Sequence, residues 1–494
     1  MAELLALLPI LLLLFCMTVI GWSAAWSGMV SAVVAIAVAI LAFGYEVESI
    51  ALAGPLLEAG FTAATILWIV YPALALHELQ MRSGASERIG TWLTSISDKP
   101  EVLVLILAWF FALLLEGAAG FGTPVALVAP MLVTLGFSPQ RALVLALIGH
   151  AAGVSFGAVG IPMIPLLEAA PLAPRELSLT IMLLHAALGW MLASVVFRLG
   201  VPEGQEANWV VVPIAAFFYL LPAVALAWWS GPELPTLGGA LIGGLMFIAL
   251  VKWRWPPGPR TSAIANDGIF LAVLPYVLVI ATIVITRTLP VLTASLQSLA
   301  LEWELAGRFG GSVKPFYHPG TMLMLALAGT VIARKNSRAA LLPSLANAAR
   351  RLPLVAVALV SVLLLARVMV HSEMIGTLAS AAAGLLGSAW PLAVPLVGAL
   401  GSFITGSATA SNILFGGFQV AAADATGLAP MLALAGQGFG AAIGNVIAPH
   451  NIVAGAATVG LVGREGAVLK MTLPVCLAYA SMGGLLLLAL VRVW

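Results

Sequence analysis

With 494 residues, 62% of them hydrophobic and only 8% charged, the chain cannot cover itself with a hydrated surface; soluble domains carry about 25% charged residues. A formal net charge of +1 and the lack of any basic cluster suited to a groove argue against a nucleic-acid partner. Cys16 and Cys476 lie in apolar runs at opposite ends, which argues against a disulfide framework, a thiolate metal site or a metal cofactor. The class these numbers leave is an all-α polytopic membrane protein.

The N-terminal stretch MAELLALLPILLLLFCMTVIGW has no Lys or Arg ahead of its apolar run, so it reads as a retained membrane helix and not as a secretory signal. About 20 apolar residues cross a hydrocarbon core of roughly 30 Å. On that basis spans are expected at 4–21, 24–43, 60–77, 142–167, 178–199, 209–229, 236–251, 269–287, 319–334, 351–371, 428–448 and 469–491. The stretches 101–136 and 390–426 differ, each being two short apolar arms around a small, polar break, the pattern of a re-entrant hairpin. Regions 374–388 and 449–462 are too short or too polar to assign, giving 12–14 membrane elements.

Lysine and arginine in short loops set orientation. Lys252, Arg254 and Arg260 form one basic cluster, and Arg334, Lys335, Arg338, Arg350 and Arg351 a larger one. Two spans separate them, so both are expected in the cytoplasm, with Arg82, Arg88 and Lys99 as a weaker third cluster. The 290–318 stretch is then external and is expected to hold an amphipathic or partly embedded helix. No stretch is long enough for a nucleotide-binding motor, and GxxxxGK[ST] is absent.

Two polar breaks stand out: EGAAGFGTPVA (Glu116 to Ala126) and GSFITGSATASN (Gly401 to Asn412). Broken hydrophobic segments at matching places in two halves mark a transporter's binding site. GFSPQRALVLALIG begins at Gly136 and GLAPMLALAGQGFG at Gly427, 291 residues later, and the same offset superposes the two breaks. Each copy continues into another polar break, FGAVGIP (Phe156 to Pro162) and GNVIAPHN (Gly444 to Asn451). We therefore expect two structural repeats, in halves 1–250 and 251–494.

Broken-helix N-termini present free backbone N–H donors and positive dipole ends to whatever a transporter binds between them. Gly120, Gly122 and Gly406 allow close backbone approach, and Thr123, Thr405, Ser407, Thr409, Ser411 and Asn412 could donate hydrogen bonds, with Asn445 beside them. The competing reading is that small polar residues simply pack membrane helices together. Glu116 is the leading proton carrier, since an ionisable residue in a span is a functional candidate; its alternative role is to cap the hairpin. His150 and His450 are further proton candidates, against a packing role. Arg367, in LLLARVMVHSEM, could face an anion path or neutralise Glu116, or could snorkel to a helix end.

EGAAGFGTPVA, SFGAVGIP, GSFITGSATASNILFG and AATVGLVGREG together resemble the signatures of the L-lactate permease family, with likeness over nearly the whole chain. The resemblance implies a plasma (inner) membrane symporter that carries L-lactate, D-lactate or glycolate with a proton. It also implies inverted repeats, an elevator-type movement and a scaffold that often forms a homodimer. The chain departs from the family pattern at Ala408, Ala410, Asn445, Ala448, His450, Asn451 and His150, all in or beside the expected site. A Na⁺-coupled carrier or one for another small organic anion is therefore the alternative, and a channel is a further one. An intramembrane hydrolase is disfavoured, because neither a G-x-S-x-G elbow nor H-E-x-x-H is present.

Overall fold

The computed structural model describes residues 1–20, 22–120, 122–201, 207–255, 268–334, 337–461 and 464–491. Phe121, Arg260 and Lys335, named above, lie outside the described residues, as do Val462 and Gly463 of the AATVGLVGREG motif. The chain begins with α1 (Ala2–Phe15), α2 (Ala24–Phe43), the long α3 (Ser49–Arg82) and α4 (Ala85–Thr94). The first broken element consists of α5 (Pro100–Val104) and α6 (Ala112–Ala118), joined by wider turns over Leu105–Phe111, and then α7 (Thr123–Thr134). After α8 (Pro139–Gly149) come the short α9 (Gly157–Gly160) and α10 (Ile164–Ala169), followed by α11 (Pro174–Gly200), α12 (Val211–Ser230) and α13 (Pro235–Arg254). α14 (Ile269–Thr288) and α15 (Pro290–Gln297) lead into an antiparallel hairpin of β1 (Leu301–Leu305) and β2 (Phe309–Val313), with Leu301 opposite Val313. α16 (Pro319–Ala333), α17 (Arg338–His371) and α18 (Met374–Leu386) precede the second broken element, α19 (Trp390–Thr405) and α20 (Ala408–Thr426). α21 (Pro430–Gly444), α22 (Pro449–Thr458) and α23 (Glu465–Leu490) complete the described chain.

Twelve helices among the described residues are long and apolar enough to cross a membrane. Several expectations need correction. The span at 142–167 is not one helix: it stops at Gly149 and resumes as short turns, because Ala158, Val159 and Gly160 have positive φ. The 60–77 and 351–371 spans are cores of 34-residue helices, Ser49–Arg82 and Arg338–His371. The 290–318 stretch holds one short helix, with no buried residue, and the β-hairpin, so the fold is helical with a two-stranded addition. The unassigned regions contain α18 and α22.

Burial separates two kinds of membrane helix. The windows Pro100–Ala118, Ala151–Ala169 and Pro430–Ile447 are 94%, 83% and 83% buried, whereas Ile269–Thr288 and Glu465–Leu490 are 33% buried. The first broken element and the turns after α8 and α21 thus sit inside protein, where lipid permits interrupted backbone hydrogen bonding, while the Met374–Thr405 window leading into the second break is 33% buried.

The helices form two sets. α3 and α17 pack along each other and gather α2, α16, α14 and the β-hairpin. The other set contains both broken elements with α8, α11–α13 and α21–α23. Within it, α21 places Gly440 and Gly444 against the carbonyls of Pro395 and Ala399 on α19, the small-residue approach that holds helices together where lipid gives no hydrophobic drive. Gly149 similarly abuts the Ala108 carbonyl.

Basic residues collect at one end. Arg334 donates to Gln80 Oε1 at 2.9 Å and Ser83 Oγ at 3.1 Å, Arg351 pairs with Glu78 at 2.9 Å, and Lys252 lies 5.3 Å from the Trp92 ring centre. The β-hairpin occupies the other end of α3, where Arg308 pairs with Glu46 at 3.3 Å.

Gly149→Ala should lower the melting temperature in detergent, since a Cβ there meets backbone and overpacking costs about 1–3 kcal/mol. Gly466→Ala, where a Cβ meets nothing within 4 Å, should leave it unchanged or slightly higher. Equal melting temperatures for the two variants would contradict the close contact of α8 with the Leu105–Phe111 turns.

Candidate functional site

The first broken element turns at Ala119–Gly122. Gly120 (φ +57) and Gly122 (φ +75) take left-handed conformations that glycine alone adopts freely. Pro124 then sits in the first turn of α7, where a missing N–H costs nothing. Thr123 is buried, and its N–H bonds back to the Gly120 carbonyl at 3.0 Å. Glu116 stands one turn before the break, buried at 6% exposure, with Oε1 against the Cα of Gly157.

The second turns at Gly406 (φ +71). Ser407 caps α20 by accepting from the Ala410 N–H at 3.3 Å, and Thr405 Oγ1 donates to the Gly401 carbonyl at 2.8 Å. Both turns meet at a cavity of about 60 Å³, lined by Glu116, Gly120 and Gly122 from one side and by Gly406, Ser407, Ala408 and Thr409 from the other. At about 10–15 Å³ per water on this measure, the space suits a ligand of about four to six non-hydrogen atoms. The N-terminal ends of α7 and α20 border it, so backbone N–H groups and the positive ends of two helix dipoles face one small volume.

A chain of polar contacts ties the two turns together. His150 Nδ1 lies 2.7 Å from the Ala146 carbonyl, which can only accept, so Nδ1 carries the hydrogen and Nε2 faces Glu116 Oε2 at 4.0 Å. Asn445 Oδ1 accepts from Asn451 Nδ2 at 2.8 Å, and Asn451 also reaches the Gly406 carbonyl at 3.5 Å. Asn445 and Asn451 both line the cavity.

Other candidates lie elsewhere. Asn412, 1% exposed, donates to the Pro162 carbonyl at 2.8 Å and accepts from Gln437 at 3.3 Å. Ser411 donates to the Gly398 carbonyl at 2.8 Å and accepts from Gln437 at 3.1 Å. These two, with Thr123 and Thr405, stand behind the lining; Thr405, Ser411 and Asn412 each donate to a backbone carbonyl. His450 is exposed, beside Gly406. Arg367 is not brought to Glu116: it pairs with Glu168 at 2.7 Å, with Glu58 Oε2 3.9 Å away.

Sequence reasoning missed the third wall, Val154 to Pro162, as a lining segment. Its signal was the run of Gly157, Gly160 and Pro162 in the second polar break. Ala158 and Val159 have φ of 43° and 57°, costly for residues with a Cβ. Ser155 secures the segment, donating to the Gly438 carbonyl at 3.0 Å and lying 2.9 Å from His185 Nε2. Beyond it, Val159 and Gly160 border a much larger open cleft of about 850 Å³ between the two helix sets, so this one stretch of chain separates cleft from cavity.

Asn412→Ala should act on stability, because it strands the Pro162 carbonyl, a loss of about 1–3 kcal/mol. A lower melting temperature with substrate affinity little changed is the expected result. Unchanged stability with weakened affinity would return Asn412 to the cavity.

The family profile described as "L-lactate permease" matches residues 2–494. The "L-lactate permease" of Streptococcus iniae is 31% identical over 446 residues, covering 87% of this chain and 92% of that protein. The "Glycolate permease GlcA" of Escherichia coli (strain K12) is 28% identical over 550 residues, covering 99% and 95%. Among solved structures, Neisseria gonorrhoeae MtrF, described as illuminating a class of antimetabolite efflux pumps, aligns with a TM-score of 0.46 at 18% identity over 88% of this chain and 82% of that one. With its 12 apolar helices and a match over almost its whole length, the chain belongs to the L-lactate permease family: it is a multi-pass plasma-membrane transporter of a small molecule and not an enzyme.

Proposed function

We propose that the chain carries small 2-hydroxymonocarboxylates, L-lactate or glycolate, together with a proton. The observation that carries this reading is the meeting of Glu116 with two helix N-termini in one 60 Å³ cavity. The substrate carboxylate takes backbone N–H groups at Gly122 and at the start of α20, and its 2-hydroxyl takes Thr409 or Asn445. A second carboxylate so close to Glu116 is strongly repelled where the effective dielectric is low. The anion is therefore held only when Glu116 carries a proton, or when that proton has passed to His150 Nε2 to form an ion pair. Either way one proton accompanies one anion. Among the described residues no Lys or Arg lines the cavity, so the anion is held without full charge compensation and can be released.

Two inverted repeats and an elevator movement complete the reading. α3 and α17, both 34 residues, recur at nearly the spacing noted for the breaks, as do α8 with α21 and α11 with α23. Glu58 meets His371 while Glu78 meets Arg351, so α3 and α17 run antiparallel, as inverted copies must. The halves 1–250 and 251–494 hold one copy each. The α3–α17 set is the scaffold, suited to form a homodimer, and the set bearing both breaks is the part that moves. Excess Lys and Arg assign the basic end to the cytoplasm.

Proteoliposomes should accumulate radiolabelled L-lactate under an inward proton gradient without Na⁺, by about tenfold per pH unit at one proton per anion. Glu116→Gln should abolish accumulation yet retain counterflow. Accumulation by that variant equal to wild type would remove Glu116 from coupling, and a requirement for Na⁺ would replace the proton altogether.

A further inference from the structure

A second group of ionisable side chains lies outside the cavity, at the contact between the two helix sets. Glu58 and Thr62 come from α3, Arg367 and His371 from α17, and Glu168 from α10 beyond the strained Val154–Pro162 wall. Arg367 Nη2 holds Glu168 Oε2 at 2.7 Å, and its Nε is 3.9 Å from Glu58 Oε2. Thr62 Oγ1 also donates to Glu168 Oε1, at 3.2 Å. On its other side Glu58 meets His371 Nε2 at 2.9 Å and accepts the Gly310 N–H of β2 at 3.3 Å. The Phe309 ring lies 4.8 Å from His371, and Arg308 beside it is engaged by Glu46. α20 adds only Ile413 and Gly417 here.

Charge counting shows what this arrangement lacks. Two carboxylates share one guanidinium, so with a neutral imidazole the group has one negative charge in excess. One bound proton balances it. The carboxylates differ in access: Glu58 has a side-chain exposure of 10%, and Glu168 of 32%. Glu168 opens to the large cleft, whose other charged or titratable groups are Arg175, Glu176, Glu233, Arg287, Lys314, Tyr317 and His318. Of these, Arg287 is held by Glu233 at 2.8 Å.

We propose that Glu168 is a second proton-binding site, distinct from Glu116, and that its protonation transfers Arg367 to Glu58 and frees the hairpin-bearing set from the α3–α17 set. The proton enters from the cleft and adds to a Glu168 oxygen; the ion pair across the contact is lost, and the pair within the long-helix set takes its place. The inference rests on the reading of a moving and a fixed set. It couples that movement to pH at a point where the substrate makes no contact.

Hydrogen–deuterium exchange of the 163–170 segment, measured without substrate across a pH series and corrected for intrinsic exchange, tests it. Wild type should lose protection on acidification by roughly threefold, the scale of one partly exposed ion pair. Glu168→Gln should show the reduced protection at every pH, Glu168→Asp should restore the pH dependence, and Glu116→Gln should keep it. Glu58→Gln leaves Arg367 to Glu168 alone, so release should move to lower pH; this variant also decides the matter if Glu168→Gln does not fold. A wild-type pH profile in Glu168→Gln, a profile unmoved by Glu58→Gln, or loss of the dependence in Glu116→Gln would each overturn the proposal. If wild type carries no L-lactate, the carrier reading fails while this measurement, needing no substrate, still reads the contact.

Discussion

A backbone polar group in lipid has no water to fall back on, and the architecture follows from that constraint. This chain interrupts its helices at Ala119–Gly122, His150–Gly160, Gly406–Ser407 and Asn445–Ala448, exposing donors and acceptors each time. Each interruption is enclosed by other protein. Enclosure needs helices that approach closely, which explains glycines such as Gly149 and Gly440 set directly against neighbouring carbonyls. The unbroken helices are left to face lipid.

The freed backbone groups border the cavity between the two turns. Two helix N-termini meet in a volume suited to about four to six non-hydrogen atoms, and they supply partial positive charge without a cation. A full Arg–carboxylate pair in the same place would make a strong, bidentate contact that opposes release. The arginines instead serve contacts between helix sets, as Arg287 with Glu233 and Arg367 with Glu168 do. The Arg367–Glu168 pair is partly solvated, and the net worth of such a pair is small. Division of labour between dipoles at the cavity and whole charges at the contact is thus a consequence of how tightly each place must hold.

Much of this was legible in the sequence. Composition places the chain in the bilayer, and the glycine and proline content of EGAAGFGTPVA and GSFITGSATASN marks the two breaks, because only such residues make a helix end inside a span economical. Glu116, Gly120, Gly122, Gly406, Ser407, Thr409 and Asn445, singled out by type and spacing, line one cavity. The segment 142–167 read as a continuous span, since its apolar content satisfies the length criterion and hydropathy is blind to positive φ at Ala158 and Val159. The β-hairpin was hidden as well: the 290–318 stretch is expected to hold an amphipathic or partly embedded helix, and pairing of Leu301–Leu305 with Phe309–Val313 is not visible in local hydropathy.

Which polar groups point at the ligand is a different kind of fact. Ser411 and Asn412 share type and neighbourhood with Thr409, yet helix phase turns them toward Gln437 and the Pro162 carbonyl. Arg367 and Glu168 lie 199 residues apart, and no periodicity pairs them. The sequence by itself determined the solvent, the number of apolar helices to within a few, and the places where backbone is left unsatisfied, because these depend on local composition. Only the tertiary structure decided which breaks face one another, which side chains are spent on holding them there, and where the remaining charges meet, because these depend on contacts between distant segments.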